Sequence, residues 1–412
     1  MNFVSAFKQG KEGQNFGLTT GLPALDRAIN GLQRKMSIGL AAAPKVGKTK
    51  LADFAALYNP YLQVVRMDKK AKELTIQLEQ ATNDTIKEGL RKQLEKLITL
   101  DDIEWIYYSF EIDRITKEFN TAAFFMAHDY GIYSFQYKDT MYEMSGDYLM
   151  GRLLHKVNDE ENEVVIVSPD HEEKLKLIYL NRIVPLFGEY DTEGKLITHN
   201  PDGSGKPKPK IEFIENRDNP TGMNKHILNH ARKNGKFIER SHKIDTPDGP
   251  KTTTEIIGYK PKNPKKYTIV ITDHVRKLKR ERGFTMKENI DKWLEYSTEL
   301  RNLLSYTFVH VAHSNRGVAN VERLRMAGEF IFPTGDDVKD SGNLSEECTI
   351  VLTMFNPHDE KYNLQTHFGH ELKDNPNYRS IHLVESRNTF CPAHIFVDMF
   401  ASTGVFAPQT SH

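Results

Sequence analysis

The sequence predicts an α/β fold, in which an open, mostly parallel β-sheet is flanked by helices. Short apolar runs typical of buried strands alternate with segments of helical periodicity along much of the 412-residue chain. Acidic and histidine side chains directly follow several of these runs. Because ligands of open α/β sheets bind beyond the carboxyl ends of the strands, we expect the functional site at that edge of the sheet.

The first strand and the helix after it enclose a segment typical of phosphate-binding loops. An apolar run at 36–43 leads into Gly47-Lys48-Thr49, and a helical pattern follows. In such a P-loop, backbone amides bind phosphate oxygens, the lysine reaches the β- and γ-phosphates, and the threonine hydroxyl binds magnesium. The generic pattern begins with glycine where this chain has Ala42, so an ordinary strand-to-helix turn remains an alternative. The predicted ATP-binding residues are Ala43, Pro44, Lys45, Val46, Gly47, Lys48, Thr49 and Lys50, and Thr49 is also a predicted Mg²⁺ ligand.

Composition excludes several classes of protein. Basic and acidic residues number 56 each, so a nucleic-acid site has to come from a local basic patch. Two cysteines are too few for a disulfide framework or a four-cysteine zinc site, which fits a reducing compartment such as the cytoplasm. No stretch approaches the roughly 18 apolar residues of a membrane span, and we expect neither a signal peptide nor a membrane partner.

We expect one domain at 17–412, preceded by a polar N-terminal arm at 1–16. Three insertions are predicted within this domain. The charged segment at about 66–100 has leucines and isoleucines at helical spacing and predicts a helical hairpin. Dense turn signals at 189–210 predict an exposed loop or hairpin, and those at 236–262 predict a β-hairpin.

Three further strands each end in a candidate functional residue. The runs at 106–110, 267–272 and 307–312 are followed by Glu111, Asp273 and His313. A single acid or histidine after a strand is common in α/β proteins, so an ordinary strand-end residue is the alternative in each case. Three more strand candidates, at 349–355, 380–385 and 394–400, complete the predicted sheet.

Six short motifs follow one another along the chain. They are Thr-Gly-Leu-Pro-Ala-Leu-Asp at 20–26, Gly-Leu-Gln at 31–33, the P-loop at 42–49, Tyr-Ser-Phe-Glu-Ile at 108–112, Asp-Val-Lys-Asp-Ser-Gly at 337–342 and Arg-Asn at 387–388. Together they resemble the RecA-like motor domain of DnaB-type hexameric replicative helicases, including the alanine at the start of the P-loop. The resemblance implies a RecA-like P-loop NTPase fold and suits a phage replication module.

The resemblance also implies roles for individual residues. Glu111 would be the general base that polarises the attacking water, and Asp273 would hold magnesium together with Thr49. His313 would sense the γ-phosphate, and Arg387 would be an arginine finger that reaches the nucleotide of the next subunit. With Lys48, these residues form the predicted catalytic set. One departure is Glu385, which stands where the family has a second cation.

Single-stranded DNA is the expected partner of a basic loop that follows Asp273. Five of the seven residues at 276–282 are basic, and the family's equivalent loop faces the central channel of the ring. A solvated basic loop is the alternative. The predicted DNA-binding residues are Arg276, Lys277, Lys279, Arg280 and Arg282, with Lys339 and Gly342 added by the resemblance.

These observations favour an ATP-dependent replicative DNA helicase motor that works as a homo-oligomer, expected to be a hexameric ring. We expect the family's usual N-terminal helical domain to be missing from this chain, which would leave loading and primase contact to other proteins or to the insertions. A primase or a helicase loader is therefore an expected partner. Two alternatives stay open. One is a RecA-like recombinase or regulatory ATPase that forms filaments, and the other is a non-catalytic, nucleotide-gated DNA-binding or loader protein.

Overall fold

The computed structural model describes residues 16–158, 161–200, 202–246, 249–315, 318, 320–338, 344–387 and 389–409, without the side chains of 242–246 and 249–251. Three predicted features lie outside the described residues. They are the arm up to residue 15, and the candidate DNA-binding residues Lys339 and Gly342.

Seventeen strands occur in the part of the chain that the structure describes. They are β1 Ser37–Ala42, β2 Ile103–Ser109, β3 Ser134–Tyr137, β4 Thr140–Glu143, β5 Leu154–Lys156, β6 Asn162–Val164, β7 Ile211–Ile214, β8 Gly235–Thr246, β9 Gly249–Pro261, β10 Tyr267–Asp273, β11 Thr307–His313, β12 Ile350–Phe355, β13 Thr366–His367, β14 His370–Glu371, β15 Tyr378–Ser386, β16 Ala393–Phe400 and β17 Val405–Pro408.

Nine of these strands form the central sheet, in the order β17-β16-β15-β12-β1-β11-β10-β2-β7. The six strands from β12 to β7 are parallel, and β15, β16 and β17 add an antiparallel edge. The predicted mostly parallel sheet is therefore confirmed. Strand β1, which leads into the P-loop, lies in the interior of this sheet, where both of its edges are paired.

Twelve α-helical segments accompany the sheet in the described ranges. They are α1 Pro23–Ile29, α2 Lys48–Asp53, α3 Asn59–Gln80, α4 Asp84–Lys96, α5 Arg114–Tyr130, α6 Gly146–Leu149, α7 Pro169–Ile178, α8 Val184–Phe187, α9 Pro220–Asn234, α10 Met286–Leu304, α11 Val321–Ala327 and α12 Leu344–Glu347. No helix among the described residues has the length and apolar character needed to cross a membrane.

Two hydrophobic cores, one on each face of the sheet, hold the helices in place. Alternate side chains of a strand point to opposite faces. Trp105 and Tyr107 of β2 accordingly pack against α2, α3 and α5, whereas Ile106 and Tyr108 pack against α9 and α10. All four side chains are buried. The parallel strands are therefore covered on both sides, which explains their continuous apolar runs.

The predicted helical hairpin is present, but its first helix continues from the P-loop. The backbone stays helical from α2 through a π-helical turn, Phe54–Tyr58, into α3. Helix α4 then returns along α3, after Asn83 caps its first turn by accepting from the amides of Thr85 and Ile86. No residue of α4 is buried, so this helix is a surface element.

The two other predicted insertions differ in regularity. Strands β8 and β9 form one long antiparallel hairpin that covers the predicted 236–262 segment. The described residues of the 189–210 segment form an irregular loop with isolated bridges between Tyr190 and Leu196 and between His199 and Gly205. Three short hairpins, β3–β4, β5–β6 and β13–β14, were not predicted.

Candidate nucleotide site

The loop between β1 and α2 has the backbone that a P-loop requires. Lys45 and Gly47 both have left-handed backbone angles, with φ of 65° and 114°. A β-carbon at Gly47 would also collide with the methyl carbon of Met399. Val46 is buried and holds the loop against the core, while Pro44 and Lys45 are exposed. Glycine is therefore required at position 47, and the turn of the loop at Pro44 and Lys45 faces solvent.

Lys48 and Thr49 occupy the first turn of α2 and approach the end of β10. Lys48 is 7% exposed, and burial lowers its pKa while Glu111 and Asp273 oppose that effect. The Thr49 hydroxyl donates to Asp273 Oδ1 at 3.1 Å. A hydroxyl beside a carboxylate is an all-oxygen donor pair that suits Mg²⁺. The residues present therefore fit the predicted magnesium site.

Asp273 is the most deeply buried acid of this site, with 1% exposure. Burial is the main cause that raises its pKa to about 6; the cation of Lys117 lowers the pKa and the carboxylate of Asp53 raises it. A buried carboxylate gains stability in its ionised form from a bound cation. Asp273 is thus well placed to bind a metal ion that accompanies a nucleotide.

Glu111 lies just beyond the carboxyl end of β2, next to β10. Ser109 is paired with Asp273, and the amide of Phe110 donates to the Asp273 carbonyl at 2.8 Å. The Glu111 side chain is 34% exposed, and its Oε1 lies 4.0 Å from the ammonium of Lys277. A water molecule can therefore reach this carboxylate, as the predicted general base requires.

His313 ends β11 directly beside Ala42, the last residue of β1. Burial, and next the positive charge of Lys48, lower the pKa of His313, so its imidazole is neutral near pH 7 and retains one N–H donor. The ring of His274 lies 4.2 Å from the ring of His313. Burial also lowers the pKa of His274, to about 2. Sequence reasoning missed His274, although it directly follows Asp273.

A buried ion pair lies behind the nucleotide site and was also missed. The Lys117 ammonium donates to both Asp53 carboxylate oxygens at 2.6 Å and to the Tyr107 hydroxyl at 2.7 Å. Tyr107 in turn donates to Asp53 at 2.9 Å. Asp53 belongs to α2 and Lys117 to α5, the helix that follows Glu111. The network therefore ties the P-loop helix to the Glu111 segment.

The basic loop after Asp273 is exposed at the same edge of the sheet. All five of its predicted DNA-binding cations are exposed, whereas Val275 and Leu278 are buried and anchor the loop. Asn289 of α10 supports it further, because its side-chain amide donates to the Lys279 carbonyl at 3.1 Å. The cations thus lie on a supported backbone that faces solvent.

Arg387 is not brought together with the other candidate residues. Strand β15 runs antiparallel to β12, so Arg387 lies at the amino end of the parallel strands, where its amide donates to Thr349. Its guanidinium donates to the Glu346 carbonyl. Glu385, two residues earlier, is paired with Val351 of β12. Lys48, Glu111, Asp273 and His313 all lie at the carboxyl end.

Comparisons with known proteins identify the fold. No family model matches the sequence, and no curated protein matches it. A solved DnaB-like replicative helicase, described with its interactions with primase, matches 99% of this chain and 67% of its own, with 13% identity and a TM-score of 0.55. The chain has the fold of a helicase ATPase domain. A second solved structure, described as an ATPase domain, matches 99% of this chain and 97% of its own, with 12% identity and a TM-score of 0.54. The predicted α/β RecA-like fold is thereby confirmed, and the chain resembles these two solved structures in fold.

Proposed function

We propose that this chain is the ATP-driven motor of a replicative DNA helicase. The observation that carries the proposal is the meeting of Lys48, Thr49 and Asp273 at one edge of the sheet, with Glu111 beside them. These residues lie at or just after the ends of β1, β2 and β10, which are distant in sequence, and each provides a group that phosphoryl transfer needs. The helicase-type ATPase fold supports the same conclusion.

Each residue has a defined part in ATP hydrolysis. The loop amides and Lys48 bind the phosphates, and Glu111 accepts a proton from the attacking water. His313 donates a hydrogen bond to the terminal phosphate. Mg²⁺ held by Thr49 and Asp273 would neutralise negative charge on the phosphate oxygens.

The location of Arg387 favours a role in which its guanidinium reaches the nucleotide bound to a neighbouring subunit. It lies at the opposite end of the sheet from Lys48, so the nucleotide it serves belongs to a neighbouring copy. A head-to-tail arrangement of this kind closes into a ring when the rotation permits, and we propose a hexamer. The solved DnaB-like helicase is described with primase, and we propose a primase or a loader as a partner of this chain as well.

Hydrolysis is coupled to DNA through the basic loop at 275–283. Its Lys277 is within 4.0 Å of Glu111, so a change at the nucleotide reaches a DNA-binding side chain over a short distance. Single-stranded DNA held through its phosphates would move with this loop, as translocation and duplex unwinding require. We place this activity in the cytoplasm of the host cell.

The first experiment compares ATP hydrolysis with and without single-stranded DNA. We expect DNA-stimulated turnover in the native protein, and a loss of about 10²–10⁴-fold in Glu111→Gln with ATP binding retained. Lys48→Ala should lose ATP binding itself. Glu371→Gln, at an exposed acid of β14, is the matched control and should hydrolyse normally.

Two other outcomes would replace the helicase assignment. ATP binding without turnover in the folded native protein would favour the non-catalytic loader, an alternative suggested by Glu385 in place of a cation. Filaments in electron micrographs, together with strand exchange and no unwinding, would favour the recombinase.

A further inference from the structure

A concentration of basic residues lies at the amino edge of the sheet, opposite the nucleotide site. The stretches 33–36, 232–236 and 260–266 contain nine lysines and arginines and no acidic residue, although the whole chain has equal numbers of both. The first stretch leads into β1 and the third into β10, and these strands are parallel members of one sheet. We call these three stretches the amino-edge basic surface.

Direct contacts join the three stretches. The Arg34 guanidinium donates to the Pro264 carbonyl at 3.2 Å, which connects the first stretch to the third. The Lys262 ammonium donates to the Lys233 carbonyl at 2.8 Å, and the Lys262 amide donates to the Asn234 carbonyl at 2.8 Å. Residues more than 200 positions apart in sequence therefore form one continuous surface.

Two lysines at the base of the β8–β9 hairpin oppose each other. Lys236 and Lys260 are direct cross-strand partners, and both are exposed. Their neighbours Phe237 and Tyr259 face the other side, where their rings lie 5.4 Å apart and the Tyr259 hydroxyl donates to the Ala231 carbonyl. Like charges directly opposite destabilise a hairpin. Folding alone does not favour this pair, whereas binding of an anion does.

Nearby carboxylates neutralise only part of this surface. Glu104 is buried and binds Lys266 at 2.9 Å and His230 at 3.1 Å. Asp102 is also buried, accepts from the Asn263 side-chain amide at 2.7 Å, and offsets part of the charge of Lys265 and Arg34. Asp101 pairs instead with Lys210, which lies outside the three stretches. Glu104 and Asp102 together are fewer than the nine cations of the three stretches. The surface therefore keeps a positive charge next to solvent.

We propose that the amino-edge basic surface binds double-stranded DNA through its phosphates. Surfaces that bind single strands stack bases on exposed aromatic rings. Here Phe237 and Tyr259 pack on each other, and Tyr267 is 4% exposed, so phosphate contacts remain as the means of binding. Duplex DNA presents closely spaced phosphates on a stiff rod, which fits a surface several residues wide. This inference goes beyond the proposed helicase activity, whose single strand meets the opposite edge of the sheet.

The test is binding of a fluorescently labelled, blunt-ended DNA duplex, followed by anisotropy across a range of salt concentrations without nucleotide. The variant is Lys236→Gln/Lys260→Gln, and the control Lys69→Gln/Lys70→Gln removes two exposed lysines from α3. We expect the variant to bind about tenfold more weakly at low salt. Each lost phosphate contact should lower the slope of log Kd against log salt by about 1, so the pair should lower it by about 2.

A stability measurement separates a binding role from a structural one. Because the substitution removes a repulsion, Lys236→Gln/Lys260→Gln should unfold at the same temperature as the native protein or higher. Weaker duplex binding in a protein of undiminished stability supports the proposal. Weaker binding that accompanies a lower unfolding temperature would instead overturn it, because the loss would then follow from a damaged hairpin.

Further outcomes would contradict the proposal independently of ATP hydrolysis. Absence of duplex binding by the native protein, or equal weakening in the control, overturns it. Duplex binding should also persist in Lys277→Gln/Lys279→Gln, whose substitutions remove charge from the candidate single-strand loop. Loss of duplex binding in this variant would show that the duplex binds the basic loop at 275–283, which would overturn the proposal. Failure of the ATPase assay with duplex binding intact would refute the helicase motor alone.

Discussion

His367 is a buried histidine that packs against Phe355 of β12 and Tyr378 of β15, and it makes stability depend on pH. Its Nε2 donates to the Ile331 carbonyl at 2.8 Å, and its Nδ1 lies 3.0 Å from the Tyr378 hydroxyl. Burial is the main cause that lowers its pKa to about 4, and His370 and His394 lower the pKa further, while the Ile331 carbonyl and Glu329 oppose them. The folded protein therefore resists a proton that the unfolded chain accepts near pH 6.5.

We predict that the free energy of unfolding falls as the pH decreases from about 7 towards about 4. For a histidine whose folded pKa is depressed, stability is intact above the unfolded pKa and is lost as the pH falls below it. At about pH 5 the depressed pKa of His367 lowers the free energy of unfolding by about 2 kcal/mol relative to its value above pH 7. Urea unfolding at several pH values should show a shallower pH dependence in His367→Gln than in the native protein. The same substitution at the exposed His199 should leave the dependence unchanged.

The residues predicted at the site share a local signature in the sequence. Glu111, Asp273 and His313 each follow an apolar run, so strand ends were sufficient to locate them. His274 was missed because its ring contact with His313, which ends another strand, appears only when the two strands are placed side by side in the sheet. Lys117 did carry a signal, since it lies on the apolar stripe of α5 with Thr121 and Phe124.

At the scale of elements, Lys117 and Asp53 hold two helices in register. Their side chains are 2% and 4% exposed, so each charge is screened by its partner rather than by water. Removal of one partner from a buried pair leaves an uncompensated charge and costs about 3–5 kcal/mol. We predict a loss of this size in Lys117→Met, measured by urea unfolding.

Two comparisons make that prediction specific to the buried pair. Asp53→Asn/Lys117→Met should lose less stability than Lys117→Met alone, because no buried charge is left unpaired. Lys92→Met removes a lysine from the exposed pair with Glu88 on α4 and should change stability by less than about 0.5 kcal/mol. If both lysine variants lost the same stability, burial of the pair would not be the cause.

Elements with long apolar runs were predicted, and short or half-exposed ones were not. Strands β1, β2, β10 and β11 are fully or almost fully buried, and their sequences are accordingly runs of mainly apolar residues. Strand β7 is four residues long and only partly buried, and its short Ile-Glu-Phe-Ile run directly follows a segment rich in turn residues, so it was not predicted. The unbroken helix from α2 to α3 was not predicted, because Asn59-Pro60 in its middle usually indicates a boundary.

At the scale of the whole molecule, long-range assembly determines what the sequence could not reveal. The amino-edge basic surface joins stretches that are far apart along the chain, and only the strand order brings them together. The partner of Arg387 lies outside the chain altogether if the proposed ring exists. Its role can therefore be tested only by combining two kinds of subunit.

We predict that Arg387→Ala and Lys48→Ala proteins are each inactive as ATPases but recover activity when they are mixed. In a head-to-tail ring, a site is complete when the P-loop comes from an Arg387→Ala subunit and the arginine from its Lys48→Ala neighbour. Random mixing in equal amounts completes about one site in four.

The measurement is ATP turnover after the mixed subunits have exchanged, with each variant incubated alone as the control. Recovery to about a quarter of the native rate per site would establish that Arg387 acts on the neighbouring subunit's nucleotide. If hydrolysis in the mixture stays at the level of the separate variants, although light scattering shows mixed oligomers, Arg387 does not complete a site between subunits. Arg387 would then have a structural role, in which its guanidinium donates to the Glu346 carbonyl.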